Sequence, residues 1–259
     1  MSGSQGDFVW YELVTTDPQK AESFYGDVFG WNTRDAGNPD MRYTLLSSNG
    51  ADVGGVMELP PEACDAGSKP GWIGYVGVDD VDAAAAKLVQ DGGTIRRPPE
   101  DIPGVGRFAV AADPQGAVFC LFTGPSDSTS EARSMKTGHV GWNELHSNDW
   151  KSGFDFYEKQ FGWRKSEAID MGPMGTYQIF NAGQDDLGGM MDDKEFPHPA
   201  WLYYVSVADI DATLDRVTAN GGKILYGPGE VPGGMWIINA LDPQGAMFAA
   251  VGPRPNKED

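Results

Sequence analysis

The chain has 259 residues, which allows one or two domains, and 40% of them are hydrophobic, which is enough for a globular core. Lysine and arginine number 19 against 38 aspartate and glutamate residues, so the formal net charge is -19. This charge repels phosphate backbones and anionic membrane surfaces, and we therefore expect neither nucleic acid nor a membrane as a partner.

The cellular compartment is predicted from what the sequence lacks. It contains no apolar stretch of about 18 residues, so no transmembrane helix is expected. Its first residues include neither a basic region nor an apolar region, so no signal peptide is expected. Two cysteines, Cys64 and Cys120, do not make a disulfide framework. We expect an acidic, cytoplasmic protein in which both remain thiols.

The first predicted elements form a β-α-β-β-β unit. Residues 8–15 alternate and are rich in aromatic and β-branched side chains, which predicts a strand. Asp17 and Pro18 are typical of a helix N-cap and first turn, and apolar residues at helical spacing continue to Gly30, where the helix should end. Three short strands are expected next, around 31–35, 43–47 and 53–57.

The following segment repeats this order. A strand is predicted at 72–78, and a helix should begin after Asp79 and Asp80 and end at Gly92 and Gly93. Three further strands are expected at 94–97, 107–111 and 117–123, the last two joined by a turn at 113–116.

The whole pattern then occurs a second time. Trp10-Tyr-Glu-Leu13 recurs 132 residues later as Trp142-Asn-Glu-Leu145, and Asp113-Pro-Gln-Gly-Ala117 recurs 129 residues later as Asp242-Pro-Gln-Gly-Ala246. A conserved order with so little drift in spacing indicates a duplicated domain. We place the first domain at 7–123, a small, polar linker at 124–135 and the second domain at 136–252.

These motifs resemble the vicinal oxygen chelate superfamily, which contains glyoxalase I, bleomycin-resistance proteins and extradiol dioxygenases. In the first copy the resemblance rests on Phe24-Tyr25 through Gly30, on Val78-Asp-Asp-Val-Asp82 and on Asp113-Pro-x-Gly116. It implies an α+β fold of two tandem glyoxalase-like domains, each a pair of βαβββ modules that form a curved sheet around a cleft. Single-domain members often dimerise, so the tandem implies a monomer with an intramolecular pseudo-dimer or a homodimer.

The resemblance also implies metal-ligand positions on the first, fifth and last strands of each domain. In this sequence those positions hold tryptophan, isoleucine, leucine, alanine and one cysteine. The first four cannot coordinate a metal ion, and a lone thiol without partner ligands coordinates one poorly. We therefore expect no metal and no other cofactor. The alternative is a metal-dependent lyase or dioxygenase that uses Glu12, Glu144 and His146. The implied positions are Trp10, the neighbourhood of Ile73 and Cys120 in the first copy, and Trp142, the neighbourhood of Leu202 and Ala249 in the second.

Glu12, Glu144 and His146 are the candidate catalytic residues. Each glutamate follows a tryptophan by two positions on a strand, so its carboxylate should point into the cleft beside an indole. Burial there would raise the carboxyl pKa toward the range of a general base; the alternative is a structural carboxylate bound by backbone N–H groups or an arginine. His146 shares a face with Glu144, whereas the first copy has Val14 there, which favours Glu144.

A set of aromatic residues with one cysteine is predicted to line the ligand pocket, where stacking would bind a planar, apolar compound. Ordinary core packing is the alternative. The predicted protein binds or transforms a small carbonyl or aromatic metabolite, either as a lyase- or isomerase-type enzyme or as a sequestration protein. The set is Trp10, Tyr43, Trp72, Tyr75 and Cys120 in the first copy and Trp142, Tyr177, Trp201 and Tyr204 in the second.

Overall fold

The computed structural model describes residues 5–37, 42–65, 67–125, 131–183 and 185–255; the predicted linker therefore includes five residues, 126–130, that lie outside this description. The first repeat forms strands β1 (Phe8–Thr15), β2 (Asn32–Asp35), β3 (Tyr43–Ser48), β4 (Ala51–Glu58), β5 (Gly71–Gly77), β6 (Thr94–Ile102), β7 (Gly106–Ala112) and β8 (Val118–Thr123). Its helices are α1 (Pro18–Phe29), the short α2 (Pro61–Asp65) and α3 (Val81–Gln90).

The second repeat forms the same sequence of elements, apart from α2. Its strands are β9 (Val140–Ser147), β10 (Arg164–Asp170), β11 (Thr176–Asn181), β12 (Asp186–Asp192), β13 (Ala200–Ser206), β14 (Lys223–Val231), β15 (Met235–Leu241) and β16 (Met247–Gly252). Its helices are α4 (Trp150–Phe161) and α5 (Ile210–Ala219), with a single 3-10 turn at Gly172–Met174.

Within the described ranges, each repeat contributes one eight-stranded mixed sheet. The strand orders are β2-β3-β4-β1-β5-β8-β7-β6 and β10-β11-β12-β9-β13-β16-β15-β14. The predicted α+β class and the pair of βαβββ modules in each repeat are confirmed. None of the described helices has the length and apolarity needed to cross a bilayer.

The helix boundaries follow from the residues that predicted them. The Asp17 side chain accepts a hydrogen bond from the backbone N–H of Lys20, which satisfies a donor that the first turn of α1 leaves open. Gly30 ends the helix at φ 73°, a left-handed conformation that glycine adopts without steric cost. Asp149 and Gly162 do the same for α4.

One strand is longer than predicted. β6 does not end at Arg97 but continues through two prolines to Ile102, with a register shift between Arg97 and Glu100. Proline has no N–H to donate, and it is tolerated here because β6 lies at the edge of its sheet.

The chain divides into two compact units, and each unit combines residues of both repeats. The first unit consists of Met1–Trp10, Ile73–Ser130 and Trp142–Leu202, so it joins the second module of repeat one to the first module of repeat two. The second unit consists of Tyr11–Trp72, Glu131–Gly141 and Tyr203–Asp259, which are the remaining two modules.

The core of the first unit is an aromatic cluster with a buried hydrogen-bond chain. Tyr157 on α4 stacks on Trp163, with ring centroids 5.1 Å apart. Its hydroxyl accepts a hydrogen bond from Trp201 Nε1 at 3.0 Å and donates one to Asp113 Oδ2 at 3.1 Å. Asp113 belongs to the other repeat, so this chain joins the two modules. Burial raises the pKa of the Asp113 carboxyl, although the hydrogen bonds from Ala117 and Tyr157 act in the opposite direction.

The second unit contains the equivalent chain. Trp72 Nε1 donates to the Tyr25 hydroxyl at 2.9 Å, and that hydroxyl donates to Asp242 Oδ2 at 3.1 Å. Phe248, from the other repeat, packs edge-on against Tyr25 with ring centroids 5.4 Å apart. The Phe-Tyr pair of each first-module helix thus meets the Asp-Pro-Gln-Gly turn of the other repeat.

We expect Tyr157→Phe to lower the free energy of unfolding by about 1–3 kcal/mol, because the change leaves the buried Trp201 N–H and Asp113 Oδ2 without their partner. Thermal or urea unfolding followed by circular dichroism measures this loss. Tyr25→Phe should behave alike, and Tyr226→Phe is the control, since Tyr226 is 55% exposed. A Tyr157→Phe variant as stable as the Tyr226→Phe variant would contradict a stabilising role for the chain.

The two repeats should not fold well apart. Residues 1–125 and 134–259, expressed separately, would each expose the aromatic faces that a module of the other repeat covers in the full chain, so we expect poor solubility, with recovery when they are co-expressed. Size-exclusion chromatography with light scattering measures their association. Two soluble, independent monomers would refute this expectation.

Candidate functional site

One face of β9 carries two of the three predicted catalytic residues, Glu144 and His146. Side chains alternate along a strand, so Trp142, Glu144 and His146 share one face. Glu144 is 8% exposed and His146 5% exposed, so both ionisable groups are buried. Burial of two such groups is costly unless they have partners.

A glycine on the neighbouring strand leaves room for Tyr177, which contacts Glu144. Gly189 on β12 lies opposite Glu144, and a Cβ at Gly189 would lie 2.2 Å from the ring of Tyr177, so only glycine leaves room for that ring. The Tyr177 hydroxyl donates a hydrogen bond to Glu144 Oε2 at 2.7 Å and accepts one from Trp142 Nε1 at 2.7 Å. Of the predicted ligand residues, Tyr177 therefore binds the Glu144 carboxylate, and Trp142 binds the Tyr177 hydroxyl.

The first repeat has the same backbone arrangement around Glu12. Glu12 lies opposite Gly55 on β4, and a Cβ at Gly55 would lie 2.1 Å from the Tyr43 hydroxyl oxygen. The Glu-Gly-Tyr arrangement is therefore common to both repeats, and Glu12 is 7% exposed.

His146 gives the second repeat a feature of its own. Its Nδ1 lies 2.9 Å from Asp193 Oδ2, and its Nε2 lies 2.9 Å from Glu144 Oε1, although this second contact does not meet hydrogen-bond geometry. Phe196 stacks on the imidazole, with ring centroids 4.0 Å apart and planes 13° apart. The result is a continuous series of polar groups from Trp142 through Tyr177, Glu144 and His146 to Asp193, which we call the β9 network.

Burial and neighbouring charges shift the pKa values of three groups in the β9 network, His146, Asp193 and Tyr177. Burial alone would lower the pKa of His146, but the adjacent carboxylate of Glu144, followed by that of Asp193, outweighs it and raises the pKa. Burial also opposes ionisation of Asp193, yet His146 and the backbone N–H groups of Glu195 and Phe196 lower its pKa. Burial and the Glu144 charge raise the pKa of Tyr177 well above its usual value, so it remains a donor.

Sequence reasoning missed Asp193 and Phe196. They follow β12, far along the chain from His146, and no motif marks them. The available signal was a difference between repeats: Asp193 aligns with Leu59, in the same way that His146 aligns with Val14.

Other predicted ligand residues lie in a second, apolar cluster of the first unit. Tyr75, Phe108 and Cys120 are buried there, and Trp10, Ile73 and Phe122 pack against them while partly exposed. The Arg97 guanidinium lies 5.0 Å from the centre of the Phe108 ring. A partly exposed aromatic surface with a cation beside it is suited to planar compounds.

Trp72, Trp201 and Tyr204, three further predicted ligand residues, lie away from that cluster. Trp72 and Tyr75 are three positions apart on one strand, so they point to opposite faces, and the same holds for Trp201 and Tyr204. Trp72 and Trp201 belong to the hydrogen-bonded aromatic cores described above. Tyr204 is 2% exposed and pairs with Ala249. A ligand-binding role for these residues stays a prediction.

The residues at the family's metal positions do not fit a metal ion. Trp142, Leu202 and Ala249 offer no donor atom, and in the first repeat Cys120 is buried among apolar side chains. The two nitrogens of His146 point in opposite directions, each toward its own carboxylate, so Glu144 and Asp193 cannot share one ion with it. Across the part of the chain that the structure describes, no three His, Cys, Asp or Glu residues form a metal-binding group.

Comparison with known proteins identifies the family. Residues 7–121 and 137–250 each match the Glyoxalase/Bleomycin resistance protein/Dioxygenase superfamily. The chain is 33% identical over 259 residues to "Putative glyoxylase CFP32" of Mycobacterium tuberculosis, covering 98% of this chain and 97% of that protein. It is 30% identical over 255 residues to "Anthracycline biosynthesis protein DnrV" of Streptomyces peucetius, covering 93% and 91%.

Solved structures share the fold at much lower identity. The Mn(II)-bound glyoxalase of Novosphingobium aromaticivorans superposes with a TM-score of 0.66 at 15% identity, over 96% of this chain and 82% of that one. The 2,3-dioxygenase LapB of Pseudomonas sp. KL28 gives 0.66 at 13% identity, over 99% and 97%. The family match over both repeats shows that the chain belongs to the Glyoxalase/Bleomycin resistance protein/Dioxygenase superfamily as a tandem of two glyoxalase-like domains.

Proposed function

We propose that this protein binds a small carbonyl or aromatic metabolite and moves a proton on it without a metal ion, with Glu144 as the general base. The β9 network carries the proposal, because it places a buried carboxylate between a tyrosine hydroxyl at 2.7 Å and an imidazole at 2.9 Å. Such groups suit a site whose task is proton transfer.

The chemistry of Glu144 supports the role of a base. An ionised carboxylate has only acceptor positions, about four of them, so Glu144 in that form can take up a substrate proton. Glu144 would remove a proton from a carbon next to a carbonyl group and return it to a neighbouring atom. The protons then balance without an oxidant or a reductant.

The ligand class is supported by two observations. The apolar cluster around Tyr75 and Phe108 presents aromatic surface beside the Arg97 guanidinium. A relative that matches 93% of the chain is named "Anthracycline biosynthesis protein DnrV", which agrees with an aromatic metabolite as the ligand. Sequestration of such a compound is the second candidate function, and it is distinguished by binding without turnover.

The donor set argues against the alternative of a metal-dependent lyase or dioxygenase that uses Glu12, Glu144 and His146. A histidine ligand must direct a lone pair at the ion, whereas both His146 nitrogens face carboxylates. We also propose a cytoplasmic location, in which the free Cys64 and Cys120 would remain thiols.

We expect the purified protein to contain less than about one equivalent of transition metal per chain, and EDTA to leave its melting temperature unchanged, because a structural or catalytic metal stabilises the folded state that binds it. Elemental analysis of protein purified without chelator measures the content. Stoichiometric Zn, Mn or Fe would overturn the metal-free proposal.

Glu144→Gln should retain the fold and reduce turnover by about two to four orders of magnitude, the range typical for loss of a general base. Candidate ligands come first from a thermal-shift screen of α-oxoaldehyde hemithioacetals and anthracyclines. Turnover of a hit is then followed as deuterium exchange from D₂O by NMR. Glu12→Gln is the matched control, since Glu12 occupies the equivalent backbone position without a histidine neighbour.

The two variants separate the possible outcomes. A large loss in Glu144→Gln together with a small one in Glu12→Gln supports the proposed base. Equal losses in both would remove the difference between the repeats, and unchanged turnover in both would assign both glutamates to the structure.

A further inference from the structure

The segment after β12 folds back onto His146. Asp193 Oδ1 accepts hydrogen bonds from the backbone N–H groups of Glu195 at 3.0 Å and Phe196 at 3.1 Å. This turn fixes the carboxylate, so that Oδ2 faces His146 Nδ1 at 2.9 Å. It also brings the Phe196 ring onto the imidazole, 4.0 Å away. Residues 193–196 therefore contact both the Nδ1 edge and one face of the His146 ring.

The first repeat lacks this device at an otherwise equivalent backbone position. The Leu59 N–H donates to the Thr15 carbonyl at 2.8 Å, and the Asp193 N–H donates to the equivalent Ser147 carbonyl at 2.9 Å. Where the second repeat has His146 and Asp193, the first has Val14 and Leu59. Both members of the pair therefore differ together between two copies of one fold.

Stability does not account for the polar pair. The His146 side chain is 6% exposed and the Asp193 side chain 23% exposed, so mainly the histidine loses its hydration, and at such a site apolar side chains are often as stable as a charged pair. The first repeat folds with the apolar pair at the equivalent backbone position. The histidine and aspartate of the second repeat therefore point to a role in the chemistry of that repeat.

We propose that Asp193 is a positioning residue: it accepts the Nδ1 proton of His146 and thereby directs Nε2 at Glu144, which makes the second repeat the working copy. This inference rests on the proposed function of Glu144, and it adds the residue that decides where the proton on His146 lies. The Phe196 ring restricts rotation of the imidazole out of that arrangement.

The variant Asp193→Asn tests the proposal sharply. Asparagine keeps the Oδ1 acceptor for the two backbone N–H groups, and those bonds force its amide Nδ2 to face His146. A donor then replaces an acceptor, so Nδ1 must lose its proton and accept. The turn and the side-chain volume are retained while the hydrogen-bond direction is reversed.

The readout is ¹⁵N NMR of protein labelled at histidine, which needs no substrate. The chain has three histidines, and the His146 signals are those missing from a variant that lacks it. In the parent protein we expect a proton on Nδ1 of His146, because this nitrogen faces Asp193 Oδ2. In Asp193→Asn we expect Nδ1 to lose that proton, Nε2 to carry one and the His146 pKa to fall, together with a roughly 10- to 100-fold loss of turnover.

Asp170→Asn is the matched control. Asp170 also accepts a backbone N–H in a turn, from Gly172 at 2.9 Å, it lies in the same compact unit, and it is exposed. This variant removes the same charge and should leave the His146 signals and the turnover unchanged.

A double variant guards against a folding artefact. His146→Val with Asp193→Asn removes the polar pair but keeps the Oδ1 acceptor for the backbone N–H groups of Glu195 and Phe196, so we expect a melting temperature close to that of the parent, with turnover lost. A large fall in melting temperature would assign the pair to stability and overturn the proposal.

The remaining outcomes separate this inference from the proposed function. Unchanged His146 signals in Asp193→Asn would overturn the positioning role, whatever Glu144→Gln does. Altered His146 signals in Asp193→Asn, combined with full turnover in Glu144→Gln, would uphold the control of the His146 proton by Asp193 and overturn the proposed function of Glu144.

Discussion

The buried hydrogen bond between a helix tyrosine of one repeat and the turn aspartate of the other is the interaction on which the two compact units depend. Tyr157 reaches Asp113, and Tyr25 reaches Asp242, each at 3.1 Å inside an aromatic core. Each turn aspartate also binds two backbone N–H groups of its own turn with its other oxygen. The hydroxyl bond thus joins a module of one repeat to a rigid corner of the other, and hydrogen bonding within a low-dielectric core makes that geometry specific.

Duplication gives the two repeats different freedom. Both repeats need the helix, the turn aspartate and the aromatic core, because each compact unit uses half of each repeat. Positions 14 and 59 and their counterparts 146 and 193 belong to neither the helices, the turns nor the hydrogen-bonded aromatic cores, so they can differ between the repeats. There the first repeat has Val14 and Leu59, whereas the second has His146 and Asp193. Structural constraints therefore account for the shared scaffold, while His146 and Asp193 distinguish the second repeat.

In both repeats a glycine opposite the glutamate leaves space for a tyrosine ring. Gly55 and Gly189 lie opposite Glu12 and Glu144, and at each the space of a Cβ is filled by a tyrosine ring. A larger residue would push the Tyr177 hydroxyl away from Glu144 and remove one hydrogen bond from a buried carboxylate, which is costly. The paired glycines, visible in the sequence as Gly54-Gly55 and Gly188-Gly189, thus lie within strands and leave room for the tyrosine rings beside the glutamates.

The sequence by itself determined the duplication, the βαβββ order, the helix ends at Asp17 and Gly30, and the paired glutamates, because these depend on local periodicity and on capping by near neighbours. Tertiary structure decided the rest. Modules pair across repeats, Trp72 and Trp201 enter the cores, and Asp193 meets His146 over a separation of 47 residues. Such contacts depend on strand register and on turns far apart in the chain, and the hydrophobic pattern of one segment does not encode which distant segment will cover it.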